Sequence, residues 1–427
     1  MRTFMQSIRP STLLKTASGL AVLAVCAACS QEPAPPAASV LSSSGDGASL
    51  ETRPRNSANY EPAFAGQTRA PGVKSPFELE VTVVAEGLNS PWAFEFLPDE
   101  RVLVTERPGT LRIIERDGSI SEPVKGLPPV LAEGQGGLLD VALHPDFANN
   151  RTIYWSYAEP RGDEGSGTAL AKGVLVESAA GAAVEQVEVI FRQQPTFPSN
   201  FHFGSRIVFT GDGKLFLTLG ERAVPDGMVQ SQDLASHFGK VVRLNLDGSI
   251  PEDNPFVGRD DAKPEIWSYG HRNVQAAALD PQGHLWTIEH GPLGGDELNK
   301  PQPGANYGWP VISYGINYNG EKIGEGITAQ DGMEQPVYYW DPVIAPSGAL
   351  FYTGEMFPEW QGNLFIGGLS SSKLVRVVLE GDRVIGEEWL LQDRKARMRD
   401  VQQGADGALY VLTENANGTL LRVARKD

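Results

Sequence analysis

A short strand–turn–strand unit recurs along this chain and constrains its fold more than any other feature. Each copy contains two apolar stretches that flank a turn rich in Pro, Asp and Gly. Turns of this composition between alternating apolar stretches are a strong signal for β-hairpins. The copies occupy residues 93–104, 141–155, 206–217, 276–286, 349–366 and 401–411.

Six such hairpins at intervals of about 40 to 70 residues are typical of the blades of a β-propeller. We therefore predict an all-β fold for residues 75–427, a six-bladed β-propeller with four-stranded antiparallel blades. An array of β-sandwiches is the alternative, but no shift in composition marks a linker between separate domains. In a propeller the blades surround a central channel, and the loops at its mouth carry the functional groups.

The first 28 residues have the composition of a secretory lipoprotein signal. Three basic residues precede a stretch of small apolar residues at 17–28, and Cys29 follows two alanines. The apolar stretch is too short to span a membrane. We expect cleavage before Cys29, lipidation of that cysteine, and a location in the bacterial periplasm with the lipid anchored in the outer membrane. Ordinary cleavage, which would release a soluble periplasmic or secreted protein, is the alternative.

The composition of the mature chain excludes several classes of protein. Both cysteines of the chain, Cys26 and Cys29, lie at the signal, so the folded domain has neither a disulfide nor a thiolate metal site. The formal net charge of −17 argues against nucleic acid or anionic lipid as a partner. Residues 29–74 are rich in Pro, Ala, Ser and Gly, and we predict a disordered tether there.

Four polar segments stand beside predicted strands and contain the residue types of a binding pocket. They lie at residues 133–140, 200–206, 269–310 and 397–401. Their arginines, histidines, carboxylates and turn glycines alternate with short apolar runs, and this composition is typical of loops that converge on a pocket.

With these segments the chain resembles the soluble pyrroloquinoline-quinone-dependent sugar dehydrogenases, in particular their aldose sugar dehydrogenase branch. The resemblance extends from about residue 80 to residue 425 and includes motifs at 91–94, 105–109 and 237–245. Each motif alone is weak, and their common order along the chain carries the resemblance. It implies oxidation of an aldose at the anomeric carbon to a lactone, with hydride passed to pyrroloquinoline quinone. The electrons then go to an acceptor, either a quinone or a small redox protein.

The resemblance assigns the catalytic roles to His202 and Arg272. His202 matches the general base that takes the proton of the anomeric hydroxyl, a task that suits a neutral imidazole. Arg272 matches an arginine that contacts cofactor and substrate, where a fixed cation stabilises developing negative charge. The structural alternatives are a histidine that satisfies a turn backbone and an arginine in a salt bridge between blades. Asn273 and Gln135 match a cofactor-binding asparagine and a glutamine that lines the substrate side.

The resemblance also implies an arginine clamp for the cofactor. Arg397 and Arg399 match a pair that binds its carboxylates, and an Arg-x-Arg sequence on a strand places both side chains on one face. A charged surface strand is the structural alternative. The glucose dehydrogenase branch has a cofactor-binding lysine where this chain has Ser370, and Lys373 is the candidate to replace it. Phe201 stands where that branch has an aspartate, which favours broad aldose specificity.

Calcium is the expected metal, at two places. Gly291 and Pro292 match a pair whose backbone carbonyls help to hold a calcium ion that the cofactor also chelates, and calcium prefers such hard oxygen ligands. That ion would polarise the quinone as a Lewis acid. Glu297 and Tyr307 match residues of a second, structural calcium site, and a solvated loop carboxylate is the alternative for Glu297.

Two other functions are compatible with the sequence. The six-bladed fold also hosts calcium-dependent hydrolases of the lactonase type, which bind their metal through carboxylates in the central channel. The other is a propeller without catalytic activity that acts as a binding or scaffold lipoprotein, and Ser370 in place of the lysine is its best support. The sequence does not decide between a monomer and a dimer.

Overall fold

The structure, a computed structural model, describes residues 47–426 and consists mainly of strands in six antiparallel sheets. The predicted signal peptide, and the predicted tether as far as residue 46, lie outside the described residues. In chain order the strands are β1 (Leu79–Leu88), β2 (Pro91–Phe96), β3 (Val102–Glu106), β4 (Thr110–Ile114), β5 (Leu138–Leu143), β6 (Thr152–Pro160), β7 (Ser166–Ser178), β8 (Gly181–Arg192), β9 (Ile207–Phe209), β10 (Lys214–Thr218), β11 (Lys240–Asn245), β12 (Ile266–Tyr269), β13 (Val274–Leu279), β14 (Leu285–Glu289), β15 (Asp296–Asn299), β16 (Tyr338–Trp340), β17 (Pro346–Phe351), β18 (Leu364–Gly368), β19 (Lys373–Glu380), β20 (Arg383–Leu390), β21 (Met398–Gln403), β22 (Leu409–Thr413) and β23 (Gly418–Arg425).

In the part of the chain that the structure describes, helical structure is confined to short turns between the strands. The helices are α1 (Phe147–Asn150) and α2 (Pro225–Met228), and single 3₁₀ turns lie at Gly162–Glu164, Val229–Gln232, Pro358–Trp360 and Gln392–Arg394. Within residues 47–426, no helix is long and apolar enough to cross a membrane.

The six sheets are the blades of a closed ring. Blade 1 consists of β2–β4, blade 2 of β5–β8, blade 3 of β9–β12, blade 4 of β13–β16, blade 5 of β17–β20, and blade 6 of β21–β23 with β1. The first strand of each blade contacts the first strand of the next, and β21 contacts β2. β1 pairs antiparallel with β23, from Leu79 opposite Arg425 to Leu88 opposite Gly418. The start of the propeller thereby completes its last blade and closes the ring.

The six hairpins read from the sequence are the two innermost strands of the six blades, so the predicted six-bladed propeller is confirmed. Blade 1 differs from the predicted four-stranded pattern, because it has three regular strands. Its outer position is taken by an irregular segment, in which Ile120 pairs with Ile114 and the Val124 amide donates to the Leu111 carbonyl. Pro123 lies in this segment and has no amide hydrogen to donate, so a regular ladder cannot continue through it.

Aromatic side chains fill the spaces between neighbouring blades. Trp92 and Trp155 belong to one buried cluster, which joins blades 1 and 2, and Trp286 belongs to a second, which joins blades 4 and 5. Trp360 stacks on Phe357 in a third cluster, between blades 5 and 6. Large rings bury much apolar surface each, and this burial stabilises a ring that has no disulfide.

The prediction of a disordered tether is wrong for its described part, residues 47–74, which we call the N-terminal strap. Gln67 and Ala70 are buried, and the Ala70 amide donates to the Tyr338 hydroxyl in blade 4 over 2.9 Å. The Val73 amide donates to the Glu387 carbonyl in blade 5. A composition poor in large apolar residues hid this order, because the strap is held mainly by hydrogen bonds to the propeller.

Candidate functional site

The candidate site lies on the face of the ring where the inner strands begin. Every blade starts with its inner strand, so the loops that precede these strands meet at the same end of the central channel. Gln135, His202, Arg272 and Arg397 each lie a few residues before an inner strand, namely β5, β9, β13 and β21. The fold therefore brings together residues that the sequence separates by up to 262 positions.

His202 is buried and held in a defined orientation. Its Nδ1 lies 2.9 Å from Glu221 Oε1, and its backbone amide donates to Gln135 Oε1 over 2.9 Å. A carboxylate only accepts hydrogen bonds, so Nδ1 carries the proton and Nε2 keeps its lone pair. The residue has a φ of +49°, in the left-handed region that ordinary residues rarely adopt. Such a conformation persists only where surrounding contacts impose it.

The surroundings of His202 favour its neutral form. Burial lowers the pKa of His202, and the nearby cation of Arg272 lowers it further, while Glu221 opposes both effects. The imidazole is therefore uncharged at neutral pH and can accept a proton at Nε2.

Glu221 and Arg222, which the sequence analysis did not single out, hold the loop of His202 from two sides. The guanidinium of Arg222 stacks on the ring of Phe203 at 3.7 Å, and its Nη2 donates to Ser166 Oγ and to the Ser199 carbonyl. Burial lowers the pKa of Arg222 to about 9. Arg222 remains a cation at neutral pH and contributes to the lowered pKa of His202.

Arg272 and Asn273 line the next part of the site. Arg272 Nη1 donates to the carbonyls of His290 and Gly291, over 2.9 and 2.8 Å. Its guanidinium carbon lies 5.2 Å from the centre of the Trp309 ring, and its backbone amide donates to Glu289. Asn273 Oδ1 accepts from the Gly204 amide, which ties this loop to that of His202.

Arg397 and Arg399 converge on Glu414, a residue that the sequence analysis missed. Arg399 Nη2 lies 2.8 Å and Arg397 Nη2 2.9 Å from Glu414 Oε2. Arg399 Nη1 also donates to Gln275 and Ser347 on the inner strands of blades 4 and 5. Burial lowers the pKa of Arg399 to about 10. Although burial acts to raise the pKa of Glu414, Arg399 and Arg397 lower it. Arg107 Nε lies 3.7 Å from Glu414 Oε1, so three cations face one carboxylate.

Several buried nitrogen atoms at this site have no hydrogen-bond partner among residues 47–426. They include Arg272 Nε, Asn273 Nδ2, His290 Nε2 and Arg399 Nε, and also Nε and Nη1 of Arg222. Burial, and after it the neighbouring cations Arg272 and Arg399, lower the pKa of His290 to about 3. A buried polar atom without a partner is costly, and several of them together indicate a missing polar ligand. The surplus of positive charge fits a ligand with several carboxylates, as pyrroloquinoline quinone has.

The proposed calcium ligands lie beside this cluster. The Gly291 carbonyl accepts from Arg272, and the Gly291 amide donates to Asp296 Oδ1 over 2.8 Å. Pro292 follows in the same loop. Among residues 47–426, no three His, Cys, Asp or Glu side chains are grouped closely enough to hold a metal ion. Calcium would therefore depend here on backbone carbonyls and on oxygen atoms of the bound cofactor.

The residues of the expected structural calcium site lie around a pair of carboxylates. Glu297 stands opposite Glu289 in the ladder of β14 and β15, and burial and the charge of Glu289 raise the pKa of Glu297. The Tyr307 ring stacks on His271, which hydrogen-bonds to Glu289, and the Tyr307 hydroxyl donates to the Lys300 carbonyl. Two facing carboxylates repel each other, and a divalent cation between them would relieve that repulsion.

The structure does not bring Lys373 to the site, so the expectation that it replaces a cofactor-binding lysine is wrong. Its ammonium group lies over the ring of Trp389, on the outer strand of blade 5, and interacts with the carboxylates of Glu387 and Glu51. Lys373 begins β19, which is two strands away from the channel. Ser370 is exposed and donates to the Val343 carbonyl.

The missed residues share a position that could have revealed them. Glu221 follows β10, His290 follows β14 and Glu414 follows β22, and each of these is the second strand of its blade. The second strand runs antiparallel to the first, so its end lies beside the start of the inner strand. In blade 6, for example, the Glu414 amide donates to the Arg397 carbonyl. A search for polar residues just after the second strand would have found all three.

The comparison with known protein families identifies the family of this chain. The family model described as glucose/sorbosone dehydrogenase matches residues 88–422, which contain all six inner strands and all the site residues described above. The chain belongs to the glucose/sorbosone dehydrogenase family.

Individual relatives of the family are similar over most of the chain. Aldose sugar dehydrogenase YliI of Escherichia coli is 46% identical over 358 residues, which cover 83% of this chain and 95% of the relative. The crystal structure of the soluble aldose sugar dehydrogenase of E. coli in its apo-form has a TM-score of 0.78 and 45% identity, and covers 82% of this chain and 100% of that chain. The PQQ-bound form of the Streptomyces coelicolor aldose sugar dehydrogenase has a TM-score of 0.66 and 29% identity, with the same coverage.

Proposed function

We propose that this protein is an aldose dehydrogenase that oxidises the anomeric carbon of the sugar to a lactone and depends on pyrroloquinoline quinone. The similarity to aldose sugar dehydrogenases, one of them with the quinone bound, supports this class of reaction. Family membership also favours a dehydrogenase over a lactonase-type hydrolase.

The observation that carries the proposal is a neutral, oriented imidazole beside a cationic cluster with unpartnered nitrogen atoms. His202 has its proton on Nδ1 because of Glu221, and its Nε2 is available as a base. The unpartnered nitrogens of Arg272, Asn273, His290 and Arg399 fit an acceptor-rich ligand. A general base next to the binding place of an anionic oxidant is what the removal of a proton and a hydride from a sugar requires.

The reaction removes a proton and a hydride, and the chain supplies a group for the proton. His202 Nε2 accepts the proton of the anomeric hydroxyl, and Glu221 stabilises the imidazolium that forms. Arg272 places a fixed cation beside the reacting atoms, where negative charge develops on oxygen. Bound pyrroloquinoline quinone supplies the two-electron acceptor for the hydride. Gln135 fixes the backbone of His202 and thereby the direction of Nε2.

Arg397 and Arg399 are the groups that we assign to the carboxylates of the quinone, together with Asn273. Guanidinium groups bind carboxylates with paired hydrogen bonds, and Arg399 has an unpartnered Nε for this purpose. We assign calcium to the carbonyls of Gly291 and Pro292, and a second ion to Glu297 and Tyr307.

The cellular setting of the reaction is also a proposal. Lipidation of Cys29 would anchor the protein to the outer membrane from the periplasm, and simple cleavage would leave it soluble there. Its electrons would go to a membrane quinone or to a small redox protein. The acidic composition of the chain favours an acceptor whose docking surface is basic.

Dye reduction by the purified apo-protein tests the proposal, with an aldose as substrate and with quinone and calcium added or withheld. We expect activity only when both are present, and we expect His202→Ala to lower kcat by about a thousandfold. The variant should keep its circular dichroism spectrum and its quinone affinity, which separates loss of the base from loss of the fold. Absence of both activity and quinone binding in the wild type would leave the binding or scaffold function.

A further inference from the structure

The N-terminal strap holds Asp341, a residue beside the loop that carries Gly291 and Pro292, although the strap lies outside the part of the chain that matches the family. The match begins at residue 88, whereas the strap comprises residues 47–74. Several residues of the strap hydrogen-bond to Asp341. Asp341 lies in the connection between β16 of blade 4 and β17, the inner strand of blade 5.

Asp341 is held by the strap through three hydrogen bonds. The amides of Asn56 and Ser57 donate to its two carboxylate oxygens over 2.9 and 3.0 Å, and Ser57 Oγ lies 2.5 Å from Oδ2. Ser57 Oγ is also 2.5 Å from the Tyr314 carbonyl, so its single proton is shared between two acceptors. Ser57 and Asp341 are both buried. Hydrogen bonds to a buried carboxylate are stronger than those between neutral groups, so this contact is a firm attachment.

Arg69 fastens the strap at a second point. Its Nη1 donates to the Glu51 carbonyl, and its Nη2 donates to the carbonyls of Arg53 and Asp341. The guanidinium of Arg69 thus joins an earlier part of the strap, at Glu51 and Arg53, to the backbone of Asp341.

Asp341 also lies beside Gly294 of the loop 291–295. A Cβ atom on Gly294 would lie 2.7 Å from Asp341 Oδ1, and one on Gly295 would lie 2.6 Å from the Gly315 amide nitrogen. Gly295 donates to the Trp340 carbonyl, and Leu293 pairs with Ile316. The loop therefore lies between the propeller and a residue that the strap holds in place.

We propose that the strap is a positioning element for the loop 291–295, which it acts on through Ser57 and Asp341. This inference rests on the proposed function where it concerns cofactor and calcium. By restricting the loop, the strap keeps the carbonyls of Gly291 and Pro292 in the arrangement that binds calcium and cofactor, and so lowers the conformational cost of binding. Ser57 and Asp341 are positioning residues, since neither touches the reacting atoms.

The test compares Ser57→Ala with Ser49→Ala in the full-length protein. Ser49 lies on the same strap, but among the described residues its hydroxyl accepts only the nearby Glu51 amide. We expect Ser57→Ala to speed hydrogen exchange at the amides of Leu293 and Gly295 in the apo-protein, and to weaken calcium-dependent binding of pyrroloquinoline quinone by about tenfold. Ser49→Ala should match the wild type in both measurements.

The outcomes separate the strap from the proposed function. Equal exchange rates in Ser57→Ala and Ser49→Ala would overturn the role of the strap. Faster exchange with unchanged quinone affinity would overturn its link to the cofactor. Hydrogen exchange needs no cofactor, so a wild type that binds no quinone would count against the proposed function and leave the exchange comparison decisive. Arg69→Gln, which loosens the strap without altering Ser57, should reproduce the faster exchange at Leu293 and Gly295.

Discussion

Blades 3 and 6 each place a glutamate shortly after the second strand and use it in opposite ways. In blade 3, Glu221 follows the second strand and hydrogen-bonds to Nδ1 of the uncharged His202. In blade 6, Glu414 follows the second strand and faces the permanent cations Arg397 and Arg399. One carboxylate therefore orients a base, whereas the other partly neutralises a clamp for anions.

The two glutamates act differently because one faces a buried imidazole and the other faces guanidinium groups. Imidazole can lose its charge, and burial together with Arg272 keeps it neutral in spite of the glutamate. Guanidinium keeps its charge even when burial lowers its pKa, as for Arg399. Loops that follow the second strand of two blades can thus serve proton transfer or anion binding, depending on the side chain that the glutamate faces.

The two arginines of blade 6 should contribute unequally, and this is the largest effect that we expect after the loss of His202. Arg399 is buried, with 6% of its side chain exposed, while Arg397 is 50% exposed. Ion pairs shielded from water are stronger, so Arg399→Gln should weaken quinone binding by about 100-fold and Arg397→Gln by less than about tenfold. Titration of the apo-protein with quinone measures both affinities. Equal losses in the two variants would refute the ranking by burial.

Glu221→Gln should break the orientation of the base while keeping its volume. We expect a fall in kcat of about tenfold, because the amide cannot stabilise the imidazolium as a carboxylate does. Glu221 raises the pKa of His202, so its replacement lowers that pKa. The acid limb of the pH profile of kcat/KM should therefore move to lower pH. Quinone affinity serves as the control, and it should remain that of the wild type.

Arg222→Met should have the smallest effect and the opposite sign. Arg222 lowers the pKa of His202, so its removal raises that pKa and should move the acid limb of kcat/KM to higher pH. Methionine retains contact with Phe203, although the Ser199 carbonyl loses a donor. The two variants on adjacent residues thus predict opposite displacements of one titration. If the acid limb of kcat/KM moved in the same direction in both variants, disorder of the loop, and not the charge of these residues, would determine the pKa of His202.

Some site residues were accessible from the sequence because the resemblance to a known family assigned them. His202, Arg272, Asn273 and Arg397 lie within five residues of the inner strands that the turn-rich hairpins locate. Glu221 and Glu414 escaped because their importance depends on which residue lies across the hairpin. Lys373 was misplaced because a shift of position along the loop decides whether a side chain faces the channel or the outer strand.

Local chemistry by itself determined the fold of this protein: alternating apolar residues and Asp-Gly-type turns specify hairpins, and six of them close into a ring. Tertiary structure alone decided the ionisation of the site and the order of the strap. Burial and the distances between charges set the low pKa of His202. The strap is ordered by Asp341, more than 260 positions away from Arg69 and Ser57 in the chain. Neither property is encoded in a local stretch of sequence, since both arise from contacts that exist only after the blades have assembled.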